Sequence, residues 1–156
     1  MIYVKGKIYI CSISNIMSAI LNKSESNSKA ALSLKQGAFY ASSIHCSYYS
    51  CIQLMLHIML YKFKLTQDEI DSNADEKGEG SHVYLINFFT TEIDKVNANS
   101  RNFNTNITTL KRARRKADYK DLEIIESESF AAIGLSRKVA EELNKFTTNK
   151  WKQENI

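Results

Sequence analysis

A run of basic residues is the part of this sequence best suited to chemistry. Five of the six residues from 111 to 116 are cationic: Lys111, Arg112, Arg114, Arg115 and Lys116. Cations grouped in this way bind nucleic acids, because each phosphate they neutralise releases a condensed counterion. On a helix, like charges three or four residues apart repel by roughly 0.2–0.5 kcal/mol per pair. Two alternatives would relieve this repulsion: an external polyanion, or internal carboxylates such as those of the acidic segment from Asp68 to Glu79.

Three histidines are the candidates for proton transfer: His45, His57 and His82. His45 and His57 lie on one expected helix, roughly 18 Å apart along its axis, so they cannot share a metal or a proton. His82 is expected at the exposed start of a later helix. Because no Ser-His-Asp, Cys-His or metal-ligand spacing is present, the sequence assigns no catalytic residue, no metal and no cofactor.

The overall charge and the cysteines indicate the compartment and permit, without requiring, a nucleic-acid partner. The chain has 156 residues and a net charge of +4, with an isoelectric point of about 8.9. Its three cysteines, Cys11, Cys46 and Cys51, are odd in number and lack metal-binding spacing. Free cysteines in apolar stretches behave as small hydrophobic residues. These features, with no recognisable secretion signal, predict a cytoplasmic protein.

The element pattern predicts an all-α protein built as an up-and-down bundle of four to five helices. The chain contains no proline, and its apolar residues recur at helical spacing. Residues 37–61 carry no formal charge and are long enough to span a bilayer. Polar residues such as His45, Gln53 and His57 interrupt this stretch, which favours a buried central helix over residues 39–62 and no membrane partner.

The remaining segments are assigned by the same patterns. Residues 1–22 are expected to form an irregular leader or a short helix, and residues 23–156 the bundle domain. Before and after the central helix we expect a polar break at residues 24–28, a short helix that kinks or ends at Gly37, and an acidic loop at residues 66–80. A helix capped by Ser81 follows, and then an Asn-rich turn with Asn97, Asn99, Asn102, Asn104 and Asn106. The next helix has a buried stripe of Phe103, Ile107, Leu110, Ala113 and Ala117. The final helix, at residues 126–150, carries Phe130, Ile133, Leu135, Val139, Leu143 and Phe146.

Three short motifs, in a fixed order along the chain, resemble those of one family of helical proteins. The first is a helix of small residues with a double tyrosine, Tyr48-Tyr49. The second is the pair Ser81-His82 before an apolar run, and the third is Arg-x-x-Ala-Asp-Tyr, formed by Arg114, Ala117, Asp118 and Tyr119. Together they resemble the HEPN domain family of prokaryotic helical bundles.

The resemblance implies a bundle of four or five helices that commonly pairs as a homodimer. Family members include metal-independent ribonucleases, toxins paired with a minimal nucleotidyltransferase, and binding modules without activity. The ribonucleases use an Arg-x(4–6)-His motif. This chain lacks that motif, since all three histidines precede every arginine.

The sequence therefore predicts a HEPN-like binding or regulatory module rather than a typical ribonuclease. Its partner would be RNA, a nucleotide or a protein, in a toxin–antitoxin-like or stress and defence system. The expected nucleic-acid contacts are Lys111, Arg112, Arg115 and Lys116. Arg114, Asp118 and Tyr119 would position the fourth and fifth helices. One alternative is a diverged ribonuclease in which His82 or His45 meets an arginine of the basic helix through folding or across a dimer. Another is a structural partner of a nucleotidyltransferase-like protein.

Overall fold

Six α-helices make up nearly all of the computed structural model, which describes residues 18–96 and 100–153. They are α1 (Ala19–Gln36), α2 (Tyr40–Tyr61), α3 (Gln67–Glu76), α4 (Ser81–Lys95), α5 (Ser100–Tyr119) and α6 (Glu126–Gln153). The all-α fold class is confirmed, with one helix more than the sequence patterns predict. Most of the expected leader lies outside the described residues, and the expected boundary between residues 22 and 23 falls inside α1.

Helix α1 is continuous, and the predicted polar break at residues 24–28 is wrong. The serine that suggested a break is buried: Ser24 donates a hydrogen bond of 2.7 Å to the Ser50 carbonyl of α2. The Ser50 carbonyl satisfies the hydrogen-bonding capacity of the Ser24 hydroxyl. Because the serine side chain is small, the two helices can approach each other closely. The helix ends at Gly37, as the sequence predicts, and Ala38 adopts a φ of 60° before α2 begins.

Contacts between named residues fix the directions of the long helices. Along α1 and α2, Ser24 bonds to Ser50 while Ser43 bonds to the Ala31 carbonyl, so these helices are antiparallel. Along α2 and α6, Ser129 bonds to Ser43 and Cys51 to the Ser136 carbonyl, so these are parallel. Helix α2 thus lies between α1, α5 and α6 and also touches α4.

The core forms around α2, as expected for a buried central helix. Its largest fully buried side chains come from α2, α3, α4, α5 and α6: Tyr48, Phe89, Phe103, Phe146, Ile44, Met55, Met59, Ile70, Ile107, Leu110, Leu143 and Val139. Within residues 18–96 and 100–153, no helix combines the length and the apolar character needed to cross a membrane.

Helix α3 corrects the expected acidic loop. Thr66 and Glu69 form a capping box, in which each side chain satisfies a backbone N–H at the helix start. Ile70 and Ala74 then bury one face of the short helix, mainly against α4. The acidic residues of this helix are exposed: Asp68, Glu69, Asp71, Asp75 and Glu76. Glu79 follows the helix and accepts a 2.8 Å hydrogen bond from Asn87 of α4.

Two smaller predictions are also wrong. Ser81 does not cap α4, because the N-cap residue is Gly80. Asn102, Asn104 and Asn106 of the expected Asn-rich turn are helical, since α5 begins at Ser100. Asn97 and Asn99 lie outside the described residues. Phe130, on the final helix as expected, is 69% exposed.

The close approach of α1, α2 and α6 around Ser43 gives a first prediction. Ser43 is fully buried between the Ala31 carbonyl and Ser129, so Ser43→Val adds volume to a filled space and removes an acceptor. We expect the free energy of unfolding in urea to fall by roughly 1–3 kcal/mol. Ser26→Val, the same change at an exposed position of α1, should have little effect. Equal losses in both variants would contradict tight packing at Ser43.

Candidate functional site

Three helices bring the signature residues together on one side of the bundle. Helix α2 supplies His45, Tyr48 and Tyr49, the first turn of α4 supplies His82, and the last turns of α5 supply Arg114, Asp118 and Tyr119. Helices α2 and α5 are antiparallel, so His45 faces Asp118 while Tyr49, one turn later, faces Arg114. We call these seven residues the histidine–arginine cluster.

The carboxylate of Asp118 connects a histidine to an arginine. Its Oδ2 atom lies 3.1 Å from His45 Nδ1 and 2.5 Å from Arg114 Nε. The Arg114 contact is an ion pair rather than a directed hydrogen bond, because its N–H does not point at the oxygen. An ionised carboxylate only accepts hydrogen bonds, so His45 carries a proton on Nδ1. Its ring, 45% exposed, therefore presents Nε2 to solvent or ligand.

The guanidinium of Arg114 is held by tyrosines as well as by Asp118. Its Nη2 atom donates hydrogen bonds of 3.1 Å to the hydroxyls of Tyr49 and Tyr119. Its central carbon lies 5.4 Å from the ring centre of Tyr49 and 5.0 Å from that of Tyr119. Burial acts to lower the pKa of Arg114, but the nearby Asp118 and Tyr119 outweigh it and the pKa is raised. The site therefore has a permanent positive charge.

A second histidine completes the cluster, and it is half-buried rather than exposed as the sequence suggests. His82 Nδ1 lies 3.2 Å from the Tyr48 hydroxyl. Burial lowers the pKa of His82, and the charges of Arg114 and Lys111 lower it further. Burial raises the pKa of Tyr48, so Tyr48 remains a phenol. At neutral pH His82 is thus a neutral imidazole beside a fixed cation.

The structure divides the four expected nucleic-acid contacts into separate groups. Arg112 and Arg115 are exposed on the outer face of α5, whereas Lys116 pairs with Glu128 of α6 at 2.6 Å. Lys111 lies on the cluster side, where burial first and then Arg115 lower its pKa. In the described part of the chain the acidic segment from Asp68 to Glu79 forms no ion pair with these cations.

The remaining signature residues have structural positions. Ala117 packs against the core as part of the predicted stripe, and Ser81 is exposed at the start of α4. No group of His, Cys, Asp and Glu within the described ranges has the arrangement of a metal site. The chemistry available to the cluster is therefore proton transfer by imidazole and charge stabilisation by guanidinium.

Comparisons with family models, with curated proteins and with solved structures found no match to this chain. The resemblance to the HEPN family consequently stays a prediction that rests on the three motifs.

The electrostatic environment of His82 gives a second prediction. Its pKa is lowered in the folded state, so the unfolded chain binds a proton first as the pH falls below about 6.5, the ordinary histidine value. The stability that the neutral His82 ring contributes to the fold is fully present above that pH, and it is lost as the pH decreases below it. We expect an NMR titration to place the His82 pKa below the ordinary value, and Arg114→Gln to raise it.

The control for this titration is Arg137→Gln, which removes the same charge from the exposed surface of α6. It should leave the His82 titration unchanged. If His82 titrates at the ordinary histidine value in the folded protein, the account of its burial beside Arg114 is wrong.

Proposed function

We propose that this chain is an RNA-binding module whose phosphate contacts centre on the outer face of α5. One observation carries the proposal: Arg112 and Arg115 are exposed one turn apart, and no carboxylate among the described residues forms an ion pair with either of them. Arginine binds phosphate oxygens through two parallel N–H groups, which makes this pair a natural contact for a nucleic-acid backbone.

Two other cations of α5 differ from Arg112 and Arg115 because they are already neutralised within the protein, which supports the choice of Arg112 and Arg115 as phosphate contacts. Arg114 and Lys116 have internal carboxylate partners, Asp118 and Glu128. The mutual repulsion of the basic run is therefore relieved at those two positions and persists at the exposed ones. The preference for RNA over DNA rests on the family resemblance, as do pairing into a homodimer, a nucleotidyltransferase-like partner and a toxin–antitoxin-like setting.

The salt dependence of RNA binding tests this proposal. Neutralising two phosphate contacts with Arg112→Gln and Arg115→Gln should weaken binding and lower the slope of log affinity against log salt by about 1.4 for a single strand. Fluorescence anisotropy of a labelled oligonucleotide at several salt concentrations measures both quantities. A matched variant, Arg137→Gln with Lys138→Gln, removes two exposed charges from α6 and should leave both unchanged. Salt-insensitive binding would exclude the phosphate contacts, and an absence of binding would exclude the RNA-binding role.

We propose RNA cleavage as a second candidate function, because folding brings an arginine and two histidines together. His45 and Arg114 contact the same oxygen of Asp118, and the ring of Tyr49 lies between His45 and His82 at centroid distances of 4.5 and 5.6 Å. This proximity supports the alternative of a diverged ribonuclease without the sequential Arg–His motif.

In this reaction, His82 donates its Nδ1–H to the Tyr48 oxygen and accepts the proton of a ribose 2′-hydroxyl at Nε2. The 2′-oxygen attacks the adjacent phosphorus while Arg114 stabilises the negative charge of the transition state. The bond to the 5′-oxygen breaks as that oxygen receives a proton from Nε2 of a doubly protonated His45. The products are a 2′,3′-cyclic phosphate and a 5′-hydroxyl, with neutral His45 and protonated His82.

Two substitutions separate cleavage from binding. We expect RNA cleavage in the presence of EDTA to fall by roughly 10²-fold or more in His45→Asn and in His82→Asn, because each removes one proton-transfer group. His57→Asn, on the same helix as His45 but outside the cluster, should retain activity. Gel analysis of a 5′-labelled RNA measures the rate. If the unmodified protein leaves the RNA intact, the cleavage proposal is wrong and the RNA-binding proposal stands.

A further inference from the structure

A shallow hollow of about 550 Å³ lies beside the end of α5, on the face that carries Arg112 and Arg115. It is lined by Arg112, Arg115, Lys116, Tyr119, Lys120 and Leu122. Tyr119 is 69% exposed and Leu122 is 60% exposed. The hollow thus combines two exposed large side chains with four cations, Arg112, Arg115, Lys116 and Lys120, in one surface of mixed apolar and cationic character.

The charges around the hollow select against an apolar peptide. Lys116 pairs with Glu128, while Arg112, Arg115 and Lys120 form no ion pair with any described residue. Among residues 18–96 and 100–153, the one polar contact of Arg112 is a 3.3 Å hydrogen bond to the neutral hydroxyl of Thr109. An apolar partner would desolvate these cations without compensating them. A ligand with a flat apolar face and negative charges at its edge satisfies both parts of the surface.

The Tyr119 ring is already oriented for such a ligand. Its hydroxyl accepts a 3.1 Å hydrogen bond from Arg114 Nη2, and the Arg114 guanidinium lies 5.0 Å from its ring centre. Arg114 is in turn fixed by Asp118. A side chain held in place before binding loses little conformational freedom when the ligand arrives, so the exposed ring is a ready surface for stacking.

We propose that Tyr119 stacks against an unpaired base of single-stranded RNA, with the adjacent phosphates on Arg112 and Arg115. This inference rests on the proposed RNA-binding function and names the class of RNA. Base stacking on an aromatic ring combined with cations along the backbone is the general physics of single-strand binding. A continuous duplex buries its base faces and offers Tyr119 nothing to stack on, so the site discriminates against double-stranded RNA.

The test compares a fluorescein-labelled 12-nucleotide oligouridine with a blunt 12-base-pair RNA duplex at one salt concentration. The unmodified protein should bind the single strand more tightly. Tyr119→Ala should weaken single-strand binding by about 5-fold or more and leave the salt slope unchanged, because no charge is lost. Tyr119→Phe keeps the aromatic ring but loses the hydrogen bond from Arg114, so it should restore most of the single-strand binding that Tyr119→Ala loses. Tyr61→Ala, at an exposed tyrosine of α2, should have no effect.

The outcomes separate this inference from the function on which it rests. Tyr119→Leu, which keeps apolar bulk without an aromatic plane, should behave as Tyr119→Ala does, and thermal melting confirms that each variant is folded. If single strand and duplex bind equally, or if Tyr119→Ala binds normally while Arg112→Gln with Arg115→Gln does not, stacking is wrong and RNA binding stands. If the unmodified protein binds neither RNA, both proposals fail.

Discussion

The carboxylate of Asp118 is the interaction on which the candidate site depends. It accepts the Nδ1–H of His45 from α2 and balances the charge of Arg114 on its own helix. The side chains of Arg114 and Asp118 are only 15% and 16% exposed, so each would be a costly buried charge without the other. Asp118 therefore fixes the packing of α2 against α5 and the orientation of an imidazole at once.

Two carboxylates explain how α5 carries so many cations. Asp118 pairs with Arg114 within α5, and Glu128 of α6 pairs with Lys116. Contacts of the first pair with His45 and Tyr49 hold α5 against α2, and the second pair holds it against α6. Arg112 and Arg115 lie on the outer face, where repulsion is screened by water and salt. What the sequence presents as one basic run is therefore two sets of residues. One set holds the fold together, and the other remains available to a polyanion.

The sequence predicts much of the fold because α2, α5 and α6 have long apolar stripes. The spacing of apolar residues within each of these segments is enough to predict that the segment is a helix and which of its faces is buried. Helices α1 and α3 are harder to predict for opposite reasons. In α1, Ser24 is a polar residue and suggests an exposed position, yet it is buried because the Ser50 carbonyl accepts its hydrogen bond. In α3, charged residues dominate, and only the Thr66–Glu69 capping box signals a helix start.

The candidate site is predictable in composition but not in geometry. The motifs identify Tyr49, Arg114 and Asp118, since each motif lies within a few residues of sequence. The contact between His45 and Asp118 joins residues 73 positions apart. This contact depends on the register of α2 against α5, and that register cannot be predicted from the residues of either helix alone. Likewise, the half-burial of His82 follows from where α4 packs, so its lowered pKa is invisible in the sequence.

The position of the histidine bears directly on whether RNA cleavage is possible. In the family that the chain resembles, the motif Arg-x(4–6)-His places a histidine five to seven residues after an arginine, roughly one and a half to two turns along the same helix. Here Tyr119, Lys120 and Asp121 occupy those positions after Arg114. His45 instead approaches from α2 and contacts Asp118, the carboxylate that pairs with Arg114. A missing sequential motif therefore does not separate arginine from imidazole in space. Because the pairing crosses two helices, any change that loosens α2 from α5 would alter the chemistry of the site together with the stability of the fold.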